Sequence, residues 1–348
     1  MSQLDFIAKI YDPGFEKAAS STKISTRIPW IDYAKGICIF LVVFMHSTLG
    51  VEKALQTTSW LNGFIEWARP FRMPDFFLIA GLFLSRTINA PIGKFLDRKV
   101  LHFGYFYVLW MSIQFLVKRD FSESLTLGSW LYFFIQPHGA VWFIYMLPVF
   151  MVMIRLLKDA PPGLVFCAAA VLEILPIQTG ATVIDEFAAR FVYIYAGYLF
   201  APYIFVYAEW LDKRPTRSIA VALLGWAVLN TIAVVAGAST LPVISLVLGS
   251  AGALAVVSTG VLLSKFRIAE FLRYCGQNSI VIYLSFTLFM AMTRVMLIKS
   301  GLNIDAATLA LLCASTGIAG AIVLFRLGQM THITFLFKRP KWARADAN

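Results

Sequence analysis

Two residues of opposite chemical use sit on one apolar stretch of this chain. They are Lys35 and His46 in WIDYAKGICIFLVVFMHST, residues 30–48. Eleven residues at about 100° each make roughly three turns plus 20°, so the two share one helix face, about 16 Å apart along its axis. A neutral imidazole can take a proton from a hydroxyl or act as a nucleophile. An ammonium is a compact charge for an anionic group. Asp32, three residues before Lys35, falls near the same stripe and can pair with it at the membrane edge. The lysine side chain cannot span the gap to the imidazole. A long thin ligand with an anionic head and a reactive tip would, and acyl-coenzyme A has that shape. A plainer reading stands beside this one: Lys35 as a basic flank of a membrane helix, and His46 as a helix–helix hydrogen-bonding residue. An ionisable group inside a bilayer is costly to hold, which marks His46 as a site residue.

Other polar residues carry two readings each. Asp75 follows Pro74 and either caps a helix or faces a site, with Arg69 and Arg72 just upstream to neutralise it or to meet an anionic acceptor. Glu173, inside VLEILPIQTG, requires a hydrogen-bond donor if that stretch is in the membrane. Glu186 and Arg190 are spaced as an i,i+4 pair, and Arg190 is also available to an acceptor cavity. His138 and Trp142 stand at the outer entrance of a helix, where Trp142 is either an interfacial anchor or an aromatic face for a sugar ring. Asn278 and Ser279 are spaced to cap the helix that follows. Arg98, Lys99 and His102 make a basic patch that either flanks the membrane or assists Lys35 with donor phosphates.

The elements that must position these residues are membrane helices. The chain is 59% hydrophobic and only 14% charged, against about 25% charged in soluble domains. Its mean hydropathy is +0.75. Ten apolar runs are expected, at roughly 31–50, 71–88, 101–117, 140–157, 163–178, 187–207, 218–237, 241–263, 279–298 and 305–327. They are continuous rather than alternating, which excludes an outer-membrane barrel. The predicted class is therefore all-α, a polytopic bundle of about ten spans. Residues 1–30 form a cytoplasmic segment, 31–328 the membrane domain and 329–348 a basic cytoplasmic tail, KRPKWARADAN at its end. The first residues lack the apolar core of a cleavable signal peptide.

Charge sets the orientation. With the N-terminus inside, 22 of the 30 Lys and Arg residues fall on the inner side and 8 on the outer, so both termini are expected in the cytoplasm. The net charge of +11 thereby points to a lipid bilayer with anionic headgroups and not to nucleic acid. Cys38, Cys167, Cys275 and Cys313 show no paired spacing and read as small packing residues. No Walker loop, H-E-x-x-H helix, H-x4-D acyltransferase motif or G-x-S-x-G elbow is present, and no metal site is expected.

Four segments resemble the acyltransferase-3 family of membrane-bound O-acyltransferases. They are KGICIFLVVFMH (35–46), MPDFFLIAGLFLSR (73–86), VWFIYMLPVF (141–150) and GQNSIVIYLSF (276–286), and the resemblance extends over about residues 27–328. The sequence departs from the family in having Lys35 where arginine is commoner, Ala80 where serine is usual, and Phe286 where a histidine is often found. The last change leaves His46 as the main histidine candidate. The resemblance implies an enzyme of the bacterial inner membrane with no bound cofactor. It would use cytoplasmic acyl-CoA as co-substrate and move an acyl group, commonly acetyl or succinyl, to a hydroxyl of an envelope carbohydrate or similar acceptor. His46 would be catalytic and Lys35 with Asp32 donor-binding. Arg72, Asp75, Trp142, Glu173, Arg190 and Asn278 would support the acceptor. A rival reading is a transporter or flippase moving a glycan or lipid precursor unmodified, with His46 as a proton relay; no inverted repeat supports it.

Overall fold

The computed structural model describes residues 27–117, 126–137 and 139–344, and every regular element among them is helical. The first helix, α1 (Pro29–Leu55), has 27 residues, about 40 Å of rise, enough to cross a bilayer of about 30 Å. Pro29 starts it, where the missing N–H costs nothing. Asp32 in its first turn and Lys53 in its last oppose the helix dipole. Two short helices follow, α2 (Leu61–Arg72) and α3 (Pro74–Leu84). Next comes α4 (Ile92–Val117), which contains a π-helical stretch at Leu96–Leu101, then α5 (Leu127–Ile135) and α6 (Trp142–Leu156). The remainder is α7 (Pro162–Ile174), α8 (Thr182–Leu199), α9 (Ala201–Asp212), α10 (Thr216–Val235), α11 (Ile244–Phe266), α12 (Glu270–Gln277), α13 (Ser279–Lys299) and α14 (Ala306–Met330).

The expected ten spans need correction. Seven helical runs are long and apolar enough to cross a membrane, or eight if the bent pair α8–α9 is one span. The expected runs at 71–88 and 163–178 yield α3 and α7, of 11 and 13 residues, about 16 and 20 Å long and so short of the hydrocarbon thickness. Proline accounts for both. Pro74 follows the break at Met73, and Pro176 stops α7 because the residue before a proline is driven from helical geometry. The α8–α9 pair bends by 71° because Pro202 has no N–H to offer the preceding turn. His138 and residues 1–26 lie outside the described residues.

Helix α1 is the hub. Fifteen of its residues are buried, and it packs against α2, α3, α11, α12, α13 and α14. Its closest neighbour is α12, where Gly36 and Gly276 let the two backbones touch: a Cβ on Gly276 would overlap the Asp32 carbonyl, and one on Gly36 the Leu272 carbonyl. Small residues at such crossings replace the hydrophobic drive that lipid removes. The same device, Gly81 against the Ile194 carbonyl and Gly197 against that of Leu78, joins α3 to α8. At the periphery α10 exposes Val221, Leu224, Val228, Leu229, Ile232 and Val235, an apolar surface that only lipid would cover.

Candidate functional site

Lys35 faces the interior. Its Nζ lies 4.8 Å from the centroid of the Phe83 ring on α3, a cation–π contact. It shares with Lys99 of α4 the lining of a cavity of about 220 Å³. Cys38, one turn above Lys35, Ser279 at the start of α13 and Tyr283 one turn further also line it. Aromatic and aliphatic side chains of α3, α4 and α6 complete the wall. The cavity is thus a narrow, largely apolar slot with two ammonium groups, at the end of α1 expected from the charge bias to face the cytoplasm. It suits an unbranched chain carrying an anionic end. The Tyr283 hydroxyl donates to the Ala140 carbonyl, which holds α13 beside the start of α6.

His46 is half-buried on the inner face of α1. Its ring centroid is 5.6 Å from that of Phe286, and Phe286 lies 6.4 Å from Tyr283. The cavity reaches Tyr283 without including His46 among its lining residues, so Phe286, one turn above Tyr283, stands between slot and imidazole. The rotation of α1 that aims His46 at α13 is fixed by its neighbour: Ser47 Oγ donates to the Ala310 carbonyl of α14 at 2.6 Å.

Asp32 does not pair with Lys35 as expected; no ion pair joins them within 4.0 Å. Its carboxylate instead accepts from Gln277 Nε2 at 3.3 Å, because α12 packs against the turn that carries Asp32. Asp75 is fully buried on α3 beside the Cys38 thiol, and neither carboxyl oxygen has a well-formed hydrogen bond among the described residues. Neither arginine forms a direct ion pair with Asp75 within 4.0 Å, although Arg72 is near enough for its charge to act on that carboxyl. Arg69 pairs with Glu66 at 3.1 Å, and Arg72 Nη1 donates to the Ile65 carbonyl at 3.4 Å.

Glu173 accepts from the Tyr193 hydroxyl at 3.1 Å, joining α7 to α8, while its other oxygen is buried without a partner. Arg190 and Glu186 form the expected i,i+4 pair at 3.3 Å. Trp142 packs 6.1 Å from Phe77 of α3 and 6.3 Å from Phe143, outside the lysine cavity. Asn278 makes no side-chain cap on α13. Its Nδ2 donates back to the Tyr274 carbonyl at 2.9 Å, closing α12. Ser279, expected as a cap, lines the cavity instead.

Some residues emerge only from the packing. Cys38 was legible in principle, one turn from Lys35 on the same face. Tyr283 and Phe83 come from distant helices and carry no local signal. Arg294 of α13 lies against Gly50, one turn past His46, with no carboxylate partner among the described residues.

A helical bundle of membrane-crossing length, with a basic slot at one end of its central helix and an imidazole further along the same face, is the architecture of a multi-pass membrane protein with an internal site. The chain belongs to the acyltransferase-3 family: the family's model, an acyltransferase domain, matches residues 28–326. It is similar to the inner membrane protein YcfT of Escherichia coli (strain K12), with 28% identity over a match covering 36% of this chain and 43% of that protein. The match therefore spans less than half of the relative's length. No solved structure matches the chain.

Proposed function

We propose that this chain is an acyltransferase of the bacterial inner membrane, moving an acyl group such as acetyl or succinyl from cytoplasmic acyl-CoA to a hydroxyl of an envelope carbohydrate or similar acceptor. The observation that carries the reading is the slot lined by Lys35 and Lys99, with Lys35 in helical register with His46 on α1. The donor's phosphates meet the ammonium groups and its pantetheine arm enters the slot; the Phe286 ring, which stands between slot and imidazole, has to swing aside for the thioester to reach His46. In transfer, the acceptor oxygen bonds to the acyl carbon and the carbon–sulfur bond breaks. The hydroxyl proton passes to His46 and then to the departing thiolate, which leaves as the free thiol. Brief acylation of His46 itself is the other route the same geometry serves. Arg72, Trp142, Glu173 and Arg190 lie on the outer side as candidate acceptor contacts, and Asp75 is a buried supporting carboxyl near Cys38. The family membership and the similarity to an inner membrane protein support this reading.

Purified protein in detergent, given acetyl-CoA and a glycan extract, tests it. Acylated product forms without a sealed membrane if the chain is an enzyme, whereas a transporter makes none. His46→Ala is expected to abolish product while the protein still elutes as a folded particle. Undiminished transfer by that variant would defeat the assignment.

A further inference from the structure

The chain after α14 turns back along the bundle. Phe335 accepts from the Tyr105 hydroxyl at 2.9 Å and Leu336 from Trp110 Nε1 at 2.9 Å. Phe337 packs 5.4 Å from the Trp110 ring. Arg339 is then buried against the π-helical stretch of α4, its guanidinium donating to the Asp97 carboxylate and, at 2.8 Å, to the Asp97 carbonyl. A buried ion pair with a second backbone contact is a fixed joint, not a solvated anchor.

That joint forms one wall of a cavity of about 470 Å³ lined by Asp97, Arg98, His102, Phe337, Lys338, Arg339 and Arg344. Arg339 already satisfies the one acid. Four cations against one carboxylate leave a net charge of +3 with His102 neutral, and Arg98, Lys338 and Arg344 have no carboxylate partner among the described residues. Three exposed cations around one hollow make a local positive field that raises the concentration of an anion there. Lys99, the neighbour of Arg98, lines the Lys35 slot instead, so one turn of the π-helical stretch serves both hollows.

We propose that this cavity binds clustered phosphate groups and that the returning tail, through Lys338 and Arg344, is part of the site. The phosphates have two sources of the same chemistry, the nucleotide head of a coenzyme A donor and the headgroup of an anionic lipid. Only the first rests on the acyltransferase reading.

The experiment uses the full chain and the double variant Lys338→Ala, Arg344→Ala. Both residues are exposed, so folding is preserved. In one arm, coenzyme A and adenosine are titrated into micelles of purified protein. In the other, retention of phosphatidylglycerol against phosphatidylcholine is read by native mass spectrometry. Loss of two charge-assisted contacts is expected to weaken phosphate binding by about 100-fold, roughly tenfold for each, with adenosine unaffected. A loss in the coenzyme A arm identifies the donor head, and a loss confined to the phosphatidylglycerol arm identifies lipid. The proposal is overturned if the double variant holds both ligands as tightly as the wild type, or if the wild type holds neither. His46→Ala is expected to bind coenzyme A like the wild type, so failure of the catalytic assignment and failure of this site are read separately.

Discussion

The rings of His46 on α1 and Phe286 on α13 lie 5.6 Å apart between centroids at a tilt of 47°, so the half-buried imidazole is packed against a wholly buried aromatic residue of another helix. Phe286→Ala is expected to cost roughly 3 kcal/mol through the cavity it leaves, read as a lowered unfolding midpoint in mixed micelles. Donor-head affinity, set at the other end of the slot, stays unchanged. A loss below about 1 kcal/mol would show that the ring is not packed as described.

In the proposed function Lys35 meets the donor through charge and not through the reacting atoms. Lys35→Ala is expected to raise the KM for acyl-CoA by roughly tenfold or more, the worth of a charge-assisted contact, with a smaller change in kcat. Lys35→Arg restores most of it, since either cation meets a phosphate. A kcat loss at unchanged KM would move Lys35 into the chemistry.

Asp75 lacks well-formed hydrogen bonds to either carboxyl oxygen while fully buried. Asp75 has only loose contacts with the Cys38 thiol and the Phe76 N–H, which recover little of the roughly 1–3 kcal/mol that burying a poorly bonded polar group costs, so Asp75→Ala is expected to leave the unfolding midpoint unchanged or higher. Transfer activity falls in the same variant if the carboxyl supports the site, because stability and function trade at such positions. A midpoint that drops instead identifies Asp75 as a structural hydrogen-bonding residue.

Asp97 and Arg339, with side chains 4% and 6% exposed, form the most buried ion pair among the described residues. Asp97→Ala leaves the guanidinium buried without its partner, at a cost of about 3–5 kcal/mol. Converting both residues to apolar ones costs much less than the sum of the single changes. Limited proteolysis reads the same event as faster cleavage after α14 (Ala306–Met330).

Much of this was legible along the chain because helix periodicity is local. The shared face of Lys35 and His46, the i,i+4 pair of Glu186 and Arg190, and the apolar runs all follow from 3.6 residues per turn and the thickness of a bilayer. Proline placed the errors in the span count: Pro74, Pro176 and Pro202 shorten or bend helices whose composition alone reads as continuous. The tail shows the limit most clearly. KRPKWARADAN reads as a basic stretch for anionic lipid, yet Arg339 finds Asp97, 242 residues away.

Residue order was enough to establish a membrane-crossing helical bundle and one helix with a cation and an imidazole in register. It could not say that Asp32 turns to Gln277, that Ser279 and Lys99 join Lys35 in one slot, or that Phe286 separates the slot from His46. Those outcomes depend on which helices touch. Glycine contacts such as Gly36 with Gly276 select the neighbours through shape, and shape complementarity between distant segments has no period to read.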